Sequence, residues 1–531
     1  MRQLYLLTVL FLFCFISLDS IRAQSRDINQ ARSFLGNGLY REAFERVEPY
    51  IGAVDEYPKA VLIAGIALLN IDGKEDLALE LLKKAAESFE WEESPSREAY
   101  EARFYLGQAL HLHYEFERAM KLFSFLKENS ENIPQYSIEA IERELNYCYN
   151  AIKLIENPVD FDIAPLGDAV NSSYNEHSPV VSLDESTIYF TSDRPVEEVG
   201  DEEHYFENIY VSHWREGRWS DAELLDIPGI YFGNRSTVSI SADGRRLVLY
   251  QDDGGVGNLY ETTRRFGEWL KPEPFPAPVN SSYNETHGVY SFDGDAFYFV
   301  SDRPGGYGGT DIYVSYKLPD GRWGYPVNLG PQINTRFNED SPYLSPDGET
   351  LYFSSQGHNS MGGFDIFYSE MQDDGEWGEA QNIGYPVNTP DDDIFYMPTP
   401  DDQRVYFASR RIDDTEGINI YLITYPESDR RRVSIVASHV YNQYNEPVDA
   451  ALVRIYDSEN NFLKGVFRPD AITGKFVAVL PSGKDYYLEI EAEHYDLYET
   501  EFTVPVRDVY GSRGRAYYID QIKLNKIENK E

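Results

Sequence analysis

Cysteine is nearly missing from this sequence: Cys14 and Cys148 are the two among 531 residues. So few thiols exclude a disulfide framework and a cysteine-rich metal site. Basic residues are scarce relative to acidic ones, 47 Lys and Arg against 90 Asp and Glu, for a net charge of −43. That imbalance argues against nucleic acid or an anionic lipid surface as a partner, since both are polyanions. It suits basic protein partners or divalent cations, or serves solubility alone. Past the N-terminus there is no apolar run of about 20 residues, so no further helix is expected to span a bilayer.

At the N-terminus Met1-Arg2 precedes an apolar run from Leu4 to Leu18 and then Ser20-Ile21-Arg22-Ala23-Gln24. A basic start, an apolar stretch and a small residue before the cut describe a cleavable signal peptide over residues 1–23. Leu12-Phe13 before Cys14 are too large for a lipoprotein signal. The chain is expected to be exported to the periplasm, in association with the outer membrane or free of it. Hydrophobicity of 42%, with 15% aromatics, excludes a disordered chain. Its length suggests three or four domains at roughly 150 residues each.

Residues 24–157 are rich in Ala, Leu, Glu and Lys, with apolar residues at helical spacing, as in Leu79, Leu81, Leu82 and Ala85. Gly36-Asn37-Gly38, Asp72-Gly73, Ser94-Pro95 and Ile133-Pro134 punctuate the runs. Ala43, Ala78 and Ala119 hold equivalent places in three helix pairs, and Leu106-Gly107 precedes Phe116, Ala119 and Phe123. The segment resembles a tetratricopeptide array, which implies either a partner-binding concave face or a purely packing role. His111 and His113, at i and i+2 on a helix, point to different faces and do not suit joint metal binding. Cys148 falls in an apolar helical pattern and reads as a small buried hydrophobe.

From Asn157-Pro158 the composition turns to Tyr, Phe, Val, Gly, Asp and Asn. Five units follow whose turns carry Asp184, Asp243, Asp293, Asp347 and Asp401. Each unit reads as four short strands: one ending at a Ser-x-Asp-Gly-type hairpin, one alternating, one bearing Asn/Asp-Ile/Leu-Tyr/Phe, and a last one after Gly-x-Trp. The tryptophans are Trp219, Trp269, Trp323 and Trp377; the fifth unit lacks one. Residues 161–171 resemble 327–334, so strand 160–167 is expected to complete the fifth unit and close the ring of a five-bladed β-propeller spanning 159–430. The repeats, with Ser345-Pro346-Asp347-Gly348 nearest the pattern, resemble TolB-like propeller repeats.

Chemistry-bearing motifs are sparse. Gly357-His358-Asn359-Ser360-Met361-Gly362 aligns with the loop Arg303–Gly308 of the preceding unit, so it is a blade loop and not a nucleophile elbow. Asn175-Glu176, Asn284-Glu285, Asn338-Glu339-Asp340 and Asp391-Asp392-Asp393 recur at one mouth of the ring. They read either as a cation-holding acidic ring or as acceptors for backbone N–H groups. Loops on that face bear Arg194, Arg303, Tyr307 and Met361, a candidate protein-docking set, with Asp193–Arg194 and Asp302–Arg303 equally able to brace their turns. No catalytic residue, cofactor or metal ligand is assigned.

Past Arg430-Arg431-Arg432, residues 432–526 alternate apolar and polar runs, as in Val433–Val440, Lys475–Leu480 and Tyr486–Ala492. An immunoglobulin-like β-sandwich is expected. Glu446–Val453, Gly474-Lys475-Phe476 and Leu480–Tyr486 resemble the carboxypeptidase regulatory-like domain, which implies a non-catalytic module. The order of signal peptide, helical repeats, propeller and sandwich resembles the PorE-type periplasmic proteins of Bacteroidetes type IX secretion and gliding. That resemblance implies a non-enzymatic scaffold whose partners are envelope or outer-membrane proteins. Those proteins add an OmpA-like wall-binding domain that has no counterpart before Glu531, so no direct peptidoglycan binding is expected. Two other functions compete: a propeller that binds or processes a glycan or peptide, and a TolB-like docking factor outside secretion.

Overall fold

The computed structural model describes residues 24–527 apart from 72, 93–94, 130–134, 196–206, 230–234, 293, 401–402, 412–416, 426–432, 449–450, 471 and 506–516. The signal-peptide segment and the turn residues Asp293 and Asp401 lie outside the described residues. The chain divides into a helical unit ending at Glu156 and a β-rich unit beginning at Asn157.

In the helical unit, α1 (24–36) and α2 (Tyr40–Val47) are followed by α3 (Pro58–Leu68) and α4 (Glu75–Ser88). Then come α5 (Arg97–Leu112), α6 (Phe116–Glu128) and α7 (Gln135–Glu156). Ser96 starts α5 by accepting a hydrogen bond from the Ala99 N–H at 3.1 Å. Ala43, Ala78 and Ala119 are fully buried. Small residues set the helix spacing: a Cβ on Gly65 would lie 2.8 Å from Leu82, and one on Gly107 would lie 2.6 Å from the Phe123 ring. Among the described residues no helix is long and apolar enough to cross a membrane.

The β-rich unit contains five antiparallel sheets built to one plan. Their first strands are Glu176–Val181, Arg235–Ile240, Glu285–Tyr290, Glu339–Leu344 and Asp393–Pro398. Residues from all five, among them Val180, Ser239, Val289, Tyr343 and Met397, line one axial cavity. This is a propeller-type fold. In the fifth sheet the outermost strand is Asp162–Pro165, paired antiparallel with Asn419–Thr424 from Asp162↔Thr424 to Pro165↔Tyr421. The tryptophans do not open long strands. Trp219 and Trp269 end two-residue strands, and Trp323 and Trp377 form isolated bridges with Lys317 and Met371.

The tryptophans pack each sheet against the one before it. Trp269 lies edge-on to Tyr189 at 6.0 Å, Trp377 to Tyr298 at 6.3 Å, and Trp219 to Tyr406 of the fifth sheet at 6.4 Å. Trp323 joins the cluster of Val248, Leu259 and Phe275. The first and fifth sheets are also tied by charge. Glu185 takes the glycine place of its hairpin with φ +53°, and its buried carboxylate accepts from Arg404 at 2.8 Å. The turn aspartates brace their own hairpins. Asp184, Asp243 and Asp347 accept from Ser182, Ser241 and Ser345, at 2.9, 2.5 and 2.6 Å, and from backbone N–H groups two residues on.

The C-terminal part packs two sheets face to face. One holds Val433–Asn442, Lys475–Pro481, 517–518 and Ile522–Leu524. The other holds Leu452–Asp457, Leu463–Phe467, Lys484–Glu491 and Tyr498–Val504. Their core includes Val436, Val453, Phe476, Tyr486 and Leu488, with Phe292 of the third propeller sheet packed against it. Lys475 pairs with Asp184, and the Arg245 guanidinium donates to the Pro469 carbonyl. The sandwich therefore sits against the hairpin-turn end of the propeller.

Candidate binding site at the channel mouth

Opposite those turns, the first strands of four sheets begin at buried carboxylates, and that of the second begins at Arg235. Glu176 accepts from the Ser172 N–H at 2.8 Å, from the Ser172 and Ser192 hydroxyls at 2.6 and 2.8 Å, and from Arg194 Nη2 at 2.8 Å. Glu285 repeats the pattern with Ser281 at 2.9 and 2.7 Å, Ser301 at 2.8 Å and Arg303 at 2.9 Å. Glu339 takes bonds from Thr335 and Ser355, and Asp393 from Thr389 and Ser409. This is a clamp joining the loop before a sheet to its second strand.

The candidate docking residues divide accordingly. Arg194 and Arg303 are mostly buried, and their Nη2 atoms also donate to the Val170 and Val279 carbonyls at 2.7 Å. Each guanidinium lies over two rings, Phe190 and Tyr210 or Phe299 and Tyr313. They brace the fold and offer little surface. Met361 is a correction to the docking set: it is fully buried, because its N–H donates to Asp365 at 3.0 Å and turns the loop inward. Tyr307 alone of the four is well exposed, at 52%. Ser360 is also buried, and its hydroxyl donates to the Gly362 carbonyl at 3.0 Å.

The fourth sheet lacks the clamp arginine; Gly357 stands in its place. A Cβ there would meet Thr335 Oγ1 at 2.2 Å. His358 fills the role instead, donating from Nε2 to the Ile333 carbonyl at 2.9 Å and lying against the Phe353 and Phe367 rings. Burial pushes this imidazole below its ordinary pKa. Without a cation, burial raises Glu339 to about 7. Asp393 is likewise raised by burial to about 7, despite the Arg411 charge. Asp365, wholly buried behind Met361, is pushed well above the usual carboxylate range by burial and by the Asp393 charge.

Just inside the clamps every first strand carries a register shift, between His177 and Val180 in the first sheet and at the matching place in the others. Ser178, Ser341 and Phe395 there have φ of +50°, +50° and +59°. Left-handed backbone at non-glycine residues is strained, and bulges of this kind re-aim side chains. Here they gather residues that do not recur between units. His177 donates from Nε2 to Glu207 at 3.2 Å, and Ser236 donates to the same carboxylate at 3.0 Å. Burial works to raise Glu207, yet these donors and the nearby imidazoles hold it below its ordinary value. His287 pairs with Asp340, and Phe395 lies 5.7 Å from the His177 ring and 5.0 Å from His287. The Ser341 hydroxyl is buried and has no hydrogen-bond partner among the described residues. The cavity beneath has room of about 50 Å3, enough for a few water molecules. Of these only Asp340 stood out in the sequence, within the recurring Asn338-Glu339-Asp340; for the others the signal was that His177 and Phe395 break the repeat beside otherwise matching carboxylates.

In the helical unit, His111 Nδ1 lies 3.2 Å from Cys148 Sγ, both buried, and burial pushes the thiol up, away from thiolate reactivity. His113 instead turns to Asp76 at 3.0 Å. Among the described residues no group of His, Cys, Asp or Glu is placed to hold a metal ion.

No known family model and no curated protein matches the chain. Among solved structures it is similar to TolB from Acinetobacter baumannii, at 16% identity and a TM-score of 0.32 over 50% of this chain. The chain spans 57% of the length of that TolB. A TolB-type structure from Agrobacterium tumefaciens has 16% identity and a TM-score of 0.31, covering 60% of this chain and 97% of that one. A glycosyl hydrolase from Bacteroides ovatus has 10% identity and a TM-score of 0.31, covering 47% of this chain and 84% of its own. Likenesses this low extend to neither the ligands nor the activities of those proteins.

Proposed function

We propose that this chain is a non-enzymatic, exported scaffold of the cell envelope, of the PorE type, acting in type IX secretion, gliding or envelope assembly. In this reading residues 24–157 are tetratricopeptide-like repeats. Residues 159–430 are a five-bladed TolB-like propeller closed by 160–167, and 432–526 are a carboxypeptidase regulatory-like sandwich. The observation that carries it is the clamp: the recurring carboxylates at the mouth are tied up by their own chain in fastening each sheet to the loop that leads into it. A fold that spends its acids on rigidity suits a presenting platform. Affinity capture from envelope fractions tests the reading. Recovery of type IX or porin-like outer-membrane components supports it; recovery of none, with turnover of a glycan or peptide, sinks it.

One observation favours a second reading, in which the channel mouth binds a small ligand. His177, Glu207, His287 and Phe395, which do not recur between units, converge there with Asp340. Titration calorimetry with short glycans and peptides, comparing the natural chain with Phe395→Ala, separates the two. A ligand whose binding is lost in that variant selects the second reading.

A further inference from the structure

The third sheet departs from its siblings at its outer rim. Its third strand, Asp311–Tyr316, turns through Leu318 and Trp323 to the short edge strand Val327–Asn328. Aligning the sheets on their tryptophans and on the residues paired with them, Lys317 with Trp323, Met371 with Trp377, Arg264 with Trp269 and Trp214 with Trp219, places Tyr316, Leu318, Tyr325 and Val327 at four matching rim positions. The fourth sheet has Glu370, Gln372, Glu379 and Gln381 there, and these line a single concavity. The second has Thr263, Arg265, Lys271 and Glu273, again lining one groove. The first has His213, Arg215, Asp221 and Glu223.

A rim that is polar in three sheets is therefore apolar in one, at the same backbone positions. These side chains are 56%, 41%, 89% and 55% exposed, and no described residue covers them. The fold does not need them apolar, since its siblings build the same rim from Glu, Gln, Lys and Thr. Single exposed apolar residues need no explanation, but a contiguous strip of them marks a contact surface.

The surroundings select the occupant. The face of the third sheet that carries Ile312 and Val314 packs against Trp377, with Met371 and Ala380 beside it. Between Met371 and Trp377 the hairpin of the fourth sheet bears Asp373, Asp374 and Glu376, all exposed. The sheet that packs on this face thus carries a cluster of carboxylates, in a chain of net charge −43. Tyrosine rings accept Lys or Arg on their faces as well as apolar contact.

We infer that the rim of the third sheet, Tyr316, Leu318, Tyr325 and Val327, is a docking strip for an extended protein segment in which Lys or Arg alternates with apolar residues. Apolar side chains of that segment cover the strip, and its cations face the 373–376 hairpin. The inference deepens the scaffold reading by giving the partner a chemistry, and it is tested on purified protein, so its failure is separate from a failed envelope capture.

The probe is a fluorescent synthetic peptide of alternating lysine and valine, titrated into the full chain and followed by anisotropy. The expected result is saturable binding that falls about tenfold or more in Tyr316→Gln/Leu318→Gln/Tyr325→Gln/Val327→Gln, which removes apolar contact at constant charge. Asp373→Asn/Asp374→Asn/Glu376→Gln is expected to weaken binding and flatten its salt dependence. Tyr325→Gln alone alters a side chain almost wholly in solvent, and it keeps the test valid if the fourfold variant misfolds. Absence of binding, equal binding by the strip variants, or equal binding of a glutamate–valine peptide would each overturn the inference. So would self-association of the chain lost in Tyr325→Gln with no peptide bound, which assigns the strip to a second copy.

Discussion

Glu339 offers the sharpest test of how the clamps work. Its carboxyl is buried among Thr335 and Ser355 donors, with Gly357 where the first and third sheets place an arginine. Burial raises it from 4.5 to about 7, so at neutral pH the folded protein must bind a proton or hold a buried charge. The sign follows from linkage: between those values the folded state holds more protons than the unfolded one, so stability falls as pH rises through the interval and levels off above it. The full difference corresponds to about 3 kcal/mol, of which relaxation around the site takes a share. Glu339→Gln mimics the protonated acid. It is expected to match the natural chain near pH 5 and to exceed it by up to about 3 kcal/mol near pH 8.5. Glu285→Gln is the control in the opposite direction, because it strands the Arg303 guanidinium and should cost about 3–5 kcal/mol at neutral pH. Urea unfolding of the full chain, followed by tryptophan fluorescence at both pH values, reads the midpoints. A pH-independent difference for Glu339→Gln, or a loss equal to that of Glu285→Gln, would refute the reasoning.

Other outcomes follow from packing. Met361→Ala should lower stability by about 2–5 kcal/mol, measured as the same midpoint, because the side chain is fully buried and leaves a cavity. Gly107→Ala should cost about 1–3 kcal/mol in the helical unit, where the new methyl meets Phe123. Limited proteolysis will show the change as faster cutting within residues 97–128. Cys148 should resist a thiol reagent in the native protein and react on unfolding, since its thiol is buried beside His111. Lys475→Ala removes the partner of Asp184 and should speed proteolysis between propeller and sandwich while leaving the propeller unfolding midpoint in place.

The repeating sheets were legible because their signals are local. A Ser-x-Asp turn and an alternating aromatic strand are each fixed by neighbours within a few residues, as Asp184, Asp243 and Asp347 show. The likeness of 161–171 to 327–334 has the same origin, since both segments lie along the third strand of a sheet. Met361 misled because its loop is glycine-rich and looks exposed, whereas Asp365 draws the backbone inward from four residues away. At the channel mouth the carboxylates were legible, but the contacts of His177, Glu207, His287 and Phe395 were not, for a different reason. Glu207 and His177 are 30 positions apart and meet only through the pairing of three strands in the first sheet, His287 and Asp340 belong to neighbouring sheets, and Phe395 of the fifth sheet reaches His177 of the first only where the ring closes. The Gly357 and His358 exchange for arginine could have been read from the aligned repeats, but its effect on Glu339 depends on burial.

The pairing of Asp162–Pro165 with Asn419–Thr424 also has a mechanical side. Asp162 lies opposite Thr424, so the chain comes into the fifth sheet and leaves it at the same end of one antiparallel pair. Tension applied between the segments flanking the propeller would open that pair one residue at a time, like a zipper, instead of shearing the whole ring. The first teeth are Phe161 and Tyr425, edge to face at 5.0 Å, with the Tyr425 hydroxyl bonded to that of Tyr396. Two aromatic rings thus set the force at which a pull along the chain would begin to unfasten the propeller.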